Sequence, residues 1–300
     1  MPKGIRSAVI PVAGLGTRML PCTKSQPKEM LPVGRKPVVQ YVVEELQETS
    51  IDRILFITGR GKHAIEDHFD RDAGLRKQLS TDPGKRKLME SLAFENTGTR
   101  FFYIRQSEQR GLGDAILYAR HFVADEPFFA SLGDSIVRGP GNSTIVQKML
   151  EVHQKRKASC VIAFEEVPRD EVSRYGIAKP ASQGSVFRVE DLIEKPSPAE
   201  APSNLAIAAR YILSPMIFDA LDRTPPGKNN EIQLTDAIRI LINEGEPVYG
   251  VKMDEGVRRY DIGNYESYFR TFIEFALRDE ELGGEMREFV RGLLAGEPQP

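Results

Sequence analysis

The sequence predicts an α/β fold in which helices cover both faces of a parallel β-sheet. In the first half of the 300-residue chain, short apolar runs typical of buried strands alternate with segments of helical periodicity. The second half contains shorter strands in a less regular order. Because no linker separates the two halves, we expect one domain with two unlike halves rather than two separable folds.

Hydrophobic periodicity places the individual elements. The apolar run 8–13 predicts the first strand. Further strands are predicted at 53–58, 100–105, 127–132, 158–165, 186–189, 191–193 and 206–213. Helices are predicted at 38–48, 63–69, 114–122, 144–156, 215–221 and 234–243. The polar segment 70–99 predicts helices mixed with loops. The charged segment 264–294 predicts an amphipathic helical tail that packs on its own sheet, with a subunit contact as its second use.

Composition and charge are those of a soluble globular protein. Hydrophobic residues make up 40% of the chain, charged residues 28%, and the net charge is −2. A nucleic-acid surface would need a broad basic excess, which this chain lacks. The two cysteines, Cys22 and Cys160, are too few for a disulfide framework. Since the sequence shows no signal-peptide pattern and no run of membrane-spanning length, we expect a cytoplasmic protein without nucleic-acid or membrane partners.

The most informative motif is Gly14-Leu15-Gly16-Thr17-Arg18, directly after the first predicted strand. Glycines in this position let backbone N–H groups approach a phosphate chain. A dinucleotide-binding motif needs a third glycine three positions after the second, where this chain has Met19. A P-loop needs Gly-Lys-Ser/Thr, whereas Gly16 is followed by Thr17 and Arg18. The motif therefore indicates a phosphate site of another kind.

A basic segment, residues 18–36, follows this motif. Its only carboxylate is Glu29, and its cationic residues are Arg18, Lys24, Lys28, Arg35 and Lys36. Prolines interrupt any helix here, so we expect these cations on a loop at the carboxyl end of the first strand, where α/β sheets bind ligands. A surface loop with ordinary lysines is the alternative. The combination of strand, glycines and proline-framed lysine favours a polyphosphate site.

Two aspartates are candidates for a metal site. Asp134 follows the predicted strand 127–132, and Asp261 lies in the segment Arg259–Asn264. Magnesium is commonly held by one or two carboxylates, with phosphate oxygens and water completing its coordination, so two distant aspartates could share one ion. Taken singly, each is better explained as a strand-end or helix-capping residue.

Two further segments carry polar groups suited to a ligand. Gln106 precedes a second glycine turn at Gly111, and its amide offers the donor and acceptor that a base edge requires. Glu194 and Lys195 combine a carboxylate suited to sugar hydroxyls with an ammonium suited to phosphate, and an exposed pair before a proline is an equally good explanation. No motif marks a covalent nucleophile. Together these features favour direct phosphoryl-type transfer.

Five segments together resemble the bacterial UDP-glucose pyrophosphorylases, a family of nucleotidyltransferases. They occur in order between residue 8 and about residue 277, at Gly14–Pro21, Pro27–Pro32, Tyr175-Gly176, Glu194–Pro196 and Glu231–Asp236. The resemblance implies a Rossmann-like three-layer α/β/α nucleotide-diphospho-sugar transferase fold with a mixed central sheet. It also implies a single nucleotidyltransferase domain over 1–277, with a nucleotide half at about 1–140 and a sugar-phosphate half at about 141–263. The helical tail, 264–300, is then a candidate contact in a homodimer or homotetramer.

The same resemblance implies roles for the matching residues. The nucleotide would be bound by Ala13, Gly14, Gly16, Gln106 and Gly111, the last two at the uracil. The catalytic residues would be Arg18 and Lys28, which hold the triphosphate, and Lys195, which holds the phosphate of glucose 1-phosphate. The sugar would be bound by Gly176 and Glu194, and Mg²⁺ by Asp134 and Asp261. The implied reaction is in-line attack of glucose 1-phosphate on the α-phosphorus of UTP, which gives UDP-glucose and pyrophosphate.

Some positions depart from this family and leave alternatives open. Asp114 stands where relatives often carry histidine, and Ser135 where some have a second aspartate. Thymidylyl transfer to glucose 1-phosphate stays open because a glutamine beside the pyrimidine does not exclude the thymine methyl. A non-catalytic homologue that binds nucleotide sugars is the second alternative, although the retained cations and aspartates speak against it. The missing third glycine speaks against a nicotinamide-dependent oxidoreductase.

Overall fold

A nine-stranded β-sheet forms the centre of the protein in the computed structural model, which describes residues 4–139 and 145–296. The strands of these residues are β1 (Ser7–Pro11), β2 (Pro32–Val33), β3 (Lys36–Pro37), β4 (Arg53–Thr58), β5 (Arg100–Arg105), β6 (Phe128–Ser131), β7 (Ser135–Arg138), β8 (Cys160–Glu166), β9 (Gly176–Pro180), β10 (Val186–Glu194), β11 (Leu205–Leu213), β12 (Val248–Lys252) and β13 (Arg258–Asp261). The α-helices are α1 (Val38–Gln47), α2 (His63–Phe69), α3 (Ala73–Ser80), α4 (Arg86–Ser91), α5 (Leu112–Leu117), α6 (Arg120–Val123), α7 (Ile145–Arg156), α8 (Met216–Asp222), α9 (Leu234–Asn243), α10 (Tyr265–Leu277) and α11 (Gly283–Ala295).

The central sheet is mixed, with the order β5-β4-β1-β6-β11-β8-β12-β10-β9. Its first four strands are parallel, in agreement with the alternation of strands and helices in the first half of the sequence. β11 is antiparallel to both of its neighbours, β6 and β8. β12 is parallel to β8, whereas β10 is antiparallel to β12 and β9. The mixed sheet that the resemblance implies is confirmed.

Alternate residues of each strand enter two hydrophobic cores, one on each face of the sheet. In β4, Leu55 and Ile57 belong to the core that includes α5, α8 and α9, whereas Ile54 and Phe56 belong to the core that includes α1, α2 and α7. Fully burying one such side chain stabilises the fold by about 1.5–3 kcal/mol. The two cores separate three layers, which confirms the α/β/α architecture.

A two-stranded ribbon, formed by the antiparallel pair β7 and β13, lies outside the central sheet. It pairs Ser135 with Asp261 at one end and Arg138 with Arg258 at the other. A third core packs Ile136 and Tyr260 of this ribbon against the basic segment and α10. The Tyr265 hydroxyl of α10 donates to the Met19 carbonyl at 3.0 Å. The tail therefore packs on the ribbon and the basic segment, and not on the central sheet as expected.

Most predicted elements are confirmed within two residues, and the exceptions have local causes. The helix predicted at 114–122 is two short helices, α5 and α6. The strands predicted at 186–189 and 191–193 are one strand, β10, with a bulge between Val189 and Asp191. The predicted helical tail consists of two helices, α10 and α11. Among the described residues, no helix has both the length and the apolar character needed to cross a membrane.

Three details of the predictions lie outside the described residues. These are the boundary between the two halves at 140/141, the start of the predicted helix at Thr144, and the end of the tail at 297–300.

Candidate active site

The candidate residues lie along one edge of the central sheet. β1 and β6 are parallel, so Ala13 and Asp134, which follow their ends, lie at the same edge. β11 runs in the opposite direction and pairs its first residue, Leu205, with Glu166 at the end of β8. The start of β9 also pairs with the start of β11. The ends of β1, β6 and β8 and the start of β9 therefore share this edge, where ligands of α/β proteins usually bind.

The glycine motif after β1 places backbone beside a lysine. Gly16 has φ 67° and ψ 27°, a left-handed conformation that favours glycine, and its carbonyl accepts a 2.7 Å hydrogen bond from Thr23 Oγ1. A Cβ atom on Gly14 would lie 3.9 Å from Lys28 Nζ. The buried Ala13 lies against Gly59, where a Cβ atom would be only 2.9 Å from the Ala13 carbonyl oxygen. The loops after β1 and β4 are therefore in contact.

Lys28 and the two aspartates form the charged centre of the site. The Lys28 ammonium forms an ion pair with the Asp134 carboxylate, and both side chains are largely buried. The ribbon register places Asp261 opposite Ser135, the residue after Asp134. The Ile262 N–H donates to the Asp134 carbonyl at 3.0 Å. The structure thus brings together two carboxylates that are far apart in sequence.

The charges in this centre shift one another's pKa values. Burial alone would raise the pKa of Asp134, but the Lys28 ammonium holds it below its ordinary value. Burial and the negative charge of Asp134 raise the pKa of Asp261. Arg18 partly offsets this rise, and its Nη2 atom lies 3.0 Å from where a Cβ atom on Gly263 would be. Arg18 and Lys28 thus both border the aspartate pair.

The donor set fits magnesium. Asp134 and Asp261 are hard oxygen donors, and one or two carboxylates are the usual protein share of a magnesium site. Within 4–139 and 145–296, no group of three or more His, Cys, Asp or Glu side chains is placed to hold a metal ion, at this centre or at any other. Magnesium at this centre would therefore need phosphate oxygens and water as its remaining ligands.

A second group of residues combines Glu194, Lys195 and Gly176. Gly176 and Glu194 are cross-strand partners in β9 and β10, and a Cβ atom on Gly176 would lie 3.2 Å from Glu194 Oε2. That oxygen accepts a 2.7 Å hydrogen bond from Thr235 Oγ1. Lys195 Nζ lies 3.3 Å from Glu194 Oε1, and Lys195 has a positive φ of 47°. A non-glycine residue in this conformation carries a backbone cost that is often found at functional sites.

Gln106 lies in a third group with Asp114 and Arg110. Gln106 is buried, and its Nε2 donates to Asp114 Oδ2 at 2.6 Å. Arg110 Nη2 donates to the other oxygen of Asp114 at 2.7 Å. Asp114 therefore neutralises Arg110 and orients the Gln106 amide. The Arg110 guanidinium therefore balances the negative charge that Asp114 brings to a position where relatives often carry histidine.

Gly111 directly precedes α5, the helix that carries Asp114. Its φ is 102°, and a Cβ atom there would lie 2.7 Å from the Ile232 carbonyl oxygen. The same oxygen accepts a hydrogen bond from the Gly113 N–H at 2.8 Å. Gly111 and Gly113 therefore let the segment Glu231–Asp236 pack against the turn near Gln106.

Sequence reasoning missed Arg259, which connects the first two groups. Its guanidinium forms an ion pair with Glu165 at the end of β8 and lies 3.4 Å from Asp261 Oδ2. It also lies 4.8 Å from the centre of the Tyr175 ring, and the Tyr175 carbonyl accepts a 2.9 Å hydrogen bond from the Lys195 N–H. Strand alternation was the available signal, because Arg259 and Asp261 are two residues apart on β13 and therefore share a face.

A buried ion pair beneath the basic segment was also missed. Lys62 Nζ lies 2.8 Å from Glu29 Oε2, and the two side chains are 7% and 2% exposed. Glu29 neighbours Lys28, and Lys62 directly precedes α2. The pair therefore fixes the backbone next to Lys28 to the body of the protein. Nothing in the local sequence around either residue predicts this pairing.

Comparison with known proteins gives consistent matches over most of the chain. The profile of the nucleotidyl transferase family matches residues 7–276. A UTP–glucose-1-phosphate uridylyltransferase of Staphylococcus epidermidis is 43% identical over 292 residues, which cover 97% of this chain and 99% of that relative.

Two solved structures are similar in fold and sequence. A UDP-glucose pyrophosphorylase complexed with UDP-glucose is 36% identical, with a TM-score of 0.83 over 92% of this chain and 100% of that one. A UTP-bound UGPase from Acinetobacter baumannii is 33% identical, with a TM-score of 0.86 over 96% of this chain and 99% of that one.

Proposed function

The chain belongs to the nucleotidyl transferase family, and we propose that within this family it is a UTP–glucose-1-phosphate uridylyltransferase. It transfers UMP from UTP to α-D-glucose 1-phosphate, with UDP-glucose and pyrophosphate as products. Near full-length similarity to proteins of that name supports the substrates. The single structural observation that carries the proposal is the meeting of Lys28, Asp134 and Asp261 at the sheet edge that also holds Glu194 and Lys195.

The triphosphate of UTP lies in this proposal along the glycine motif, with Arg18 and Lys28 as its counterions. Lys28 lies against Gly14, so one bound phosphate can contact both the ammonium and backbone N–H groups. One cation about 4 Å from a phosphate charge contributes about 4 kcal/mol at an effective dielectric near 20. Because two phosphorylated anions must be brought together, several cations are required.

Magnesium would be held by Asp134 and Asp261, where it would neutralise phosphate charge that develops during the transfer. The Lys28 ammonium neutralises Asp134 and fixes the position of its carboxylate. Arg259 holds Asp261 from the other side of the pair. These contacts keep both carboxylates oriented toward the phosphate-binding edge.

Glucose 1-phosphate binds in this proposal at the second group. The Glu194 carboxylate, fixed by Thr235, accepts hydrogen bonds from sugar hydroxyls. Gly176 lies directly against this carboxylate, since a Cβ atom there would be only 3.2 Å from Glu194 Oε2, and in this proposal the Gly176 backbone contacts the sugar. Lys195 neutralises the sugar phosphate and directs its oxygen in line toward the α-phosphorus of UTP, which breaks the bond to the pyrophosphate leaving group.

The base is recognised through Gln106. Because Asp114 accepts from the Gln106 Nε2, the amide presents its Oε1 atom as an acceptor elsewhere. The N3–H of uracil is a suitable donor to that oxygen. Thymine carries the same N3–H, so comparison of initial rates with UTP and dTTP separates uridylyl from thymidylyl transfer.

The proposed reaction is tested by incubating the protein with UTP, glucose 1-phosphate and Mg²⁺ and measuring the pyrophosphate that is released. We expect turnover with the full set and none when glucose 1-phosphate or Mg²⁺ is left out. A protein that binds these ligands without releasing pyrophosphate would instead be the non-catalytic homologue.

Substitution of Lys195 tests its catalytic role. We expect Lys195→Ala to lower kcat/KM at least a hundredfold, about 2.7 kcal/mol, because the sugar phosphate loses its counterion. Lys179→Ala is the matched control, since Lys179 lies on the neighbouring β9 and pairs only at the surface, with Glu190. Equal activity of the two variants would remove Lys195 from the mechanism.

A further inference from the structure

A cavity of about 810 Å³ lies on the far side of the ribbon from the aspartate pair. Side chains alternate along β13, so Arg258 and Tyr260 line the cavity whereas Arg259 and Asp261 belong to the candidate active site. The cationic residues that line the cavity are Arg35, Lys36, Arg138, Arg258 and Arg278. None of the residues that the proposed function uses lines it.

Two of these cations are neutralised by carboxylates. Arg35 binds Asp279 at 2.6 Å and Glu281 at 3.1 Å. Lys36 binds Glu44 at 2.7 Å. The third carboxylate of the lining, Glu280, neighbours Asp279 and Glu281 in sequence. The acidic side chains that line the cavity are thus consecutive, at the end of α10 next to Arg35.

Of the other three cations, Arg258 and Arg278 share one carboxylate. Glu274 Oε1 lies 2.9 Å from Arg278 and 3.9 Å from Arg258, and it also accepts a 2.8 Å hydrogen bond from the Tyr260 hydroxyl. The Arg138 guanidinium lies 5.6 Å and 6.0 Å from the ring centres of Tyr41 and Phe275. No carboxylate of the described residues pairs with Arg138. This side of the cavity therefore carries more positive than negative charge.

The ribbon register places two of these arginines face to face. Arg138 and Arg258 are direct cross-strand partners, and like charges in such positions destabilise strand pairing. An anion between them would convert that repulsion into attraction to a shared partner. Guanidinium groups match phosphate geometry through paired N–H donors, and two rings already hold one of the groups in place.

We propose that this cavity is a second anion site, which binds a small phosphate or phosphate monoester between Arg138 and Arg258, with Arg278 as the third cation. The site is distinct from the triphosphate site at Lys28, and it does not depend on the proposed function. Arg258 and Asp261 are three residues apart on β13, which is about 10 Å at 3.3 Å per residue, so the ribbon connects the two sites.

Side-chain NMR of the full-length protein tests the proposal. Inorganic phosphate is titrated in one arm and methyl phosphate in the other, while the Nε–Hε signals of Arg138 and Arg258 are followed. We expect both signals to shift and saturate, with the signal of Arg239, which pairs with Asp191 at a remote surface, unchanged. Tighter binding of methyl phosphate would identify a phosphate monoester as the preferred ligand. Tighter binding of inorganic phosphate would identify the free anion as the preferred ligand.

Two controls make the result decisive. Arg138→Gln should weaken phosphate binding at Arg258 at least tenfold, whereas Lys195→Ala, which alters the candidate active site, should leave it unchanged. Chloride at equal ionic strength should not produce a saturable shift. Signals of Arg138 and Arg258 that stay in place, or that move equally with chloride, would overturn the proposal.

Discussion

At the scale of single residues, Arg259 shows how one buried cation can connect several parts of the candidate site. It contacts Glu165, Asp261 and the ring of Tyr175, and its side chain is only 6% exposed. Glu165 lies on β8, and Asp261 is a candidate metal ligand. The Tyr175 carbonyl accepts a hydrogen bond from the Lys195 N–H. We therefore regard Arg259 as a positioning residue.

Replacement of Arg259 by methionine should lower kcat about tenfold or more, because Asp261 loses the group that orients it; tenfold corresponds to about 1.4 kcal/mol. The decisive measurement is a double-mutant cycle with Asp261→Asn. We expect the double variant to be hardly slower than Asp261→Asn alone, since both changes remove the same arrangement. Fully additive losses would show that Arg259 acts independently of Asp261. Arg239→Met, a surface change, serves as the control.

At the scale of elements, a buried ion pair joins the helix layer, the sheet and the ribbon. Arg210 of β11 is fully buried and makes two hydrogen bonds to Glu45 Oε2 of α1, at 2.9 and 2.7 Å. It also donates to the Ser135 carbonyl at 2.9 Å. Because Ser135 follows Asp134, this one side chain connects the packing of α1 to the position of a candidate metal ligand.

Arg210→Met should destabilise the protein by about 3–5 kcal/mol, because Glu45 is left as a buried charge without a partner. Urea unfolding of the wild type and the variant measures this loss. The double variant Arg210→Met with Glu45→Met removes both charges and should recover most of the stability. If the double variant were no more stable than the single one, the cost would come from lost packing and not from the unpaired carboxylate.

Prediction from sequence succeeded where structure depends on local pattern. β4 and α9 match the predicted bounds because each has its own complete periodicity and end signals. β9 and β12 were missed because each has only five residues, and β12 in addition pairs with β8 and β10, which are distant in sequence. The prediction of two strands at 186–189 and 191–193 was wrong, because β10 continues through a bulge between Val189 and Asp191.

The candidate site shows the same division between local and distant information. Asp134 could be proposed because strand ends carry ligands, and Gly16 because its motif is local. The pairing of Lys28 with Asp134, and the contacts of Arg259, depend on the strand order and the ribbon register. The roles of the individual residues stay predictions until the variants are measured.

At the scale of the whole molecule, the two C-terminal helices expose an apolar surface. Its exposed side chains are Phe269, Phe272, Ile273, Phe289, Leu293 and Leu294, with Leu294 84% exposed. Apolar surface concentrated on neighbouring helices is typical of a subunit interface. Since closed symmetric assemblies bury such a surface against an identical copy, we propose that it joins two copies of this chain.

Light scattering after size exclusion should therefore give a mass of two or four chains rather than one chain of 33.6 kDa. The double variant Phe269→Glu with Ile273→Glu should shift the protein toward monomer, because it places charge in the proposed contact. Arg270→Glu is a matched control, since it changes the net charge by the same amount at an exposed position on the same helix. A monomeric wild type, or equal effects of the two variants, would contradict the proposed contact.

The ribbon also determines when the site can exist during synthesis. β13 is the last strand of the described residues, and only its pairing with β7 brings Asp261 beside Asp134. A nascent chain that has already formed β1, β6 and β8 still lacks half of its carboxylate pair. The complete pair is therefore assembled only after β13 has been synthesised and has paired with β7, so a chain that has already buried much of its core still lacks the second carboxylate.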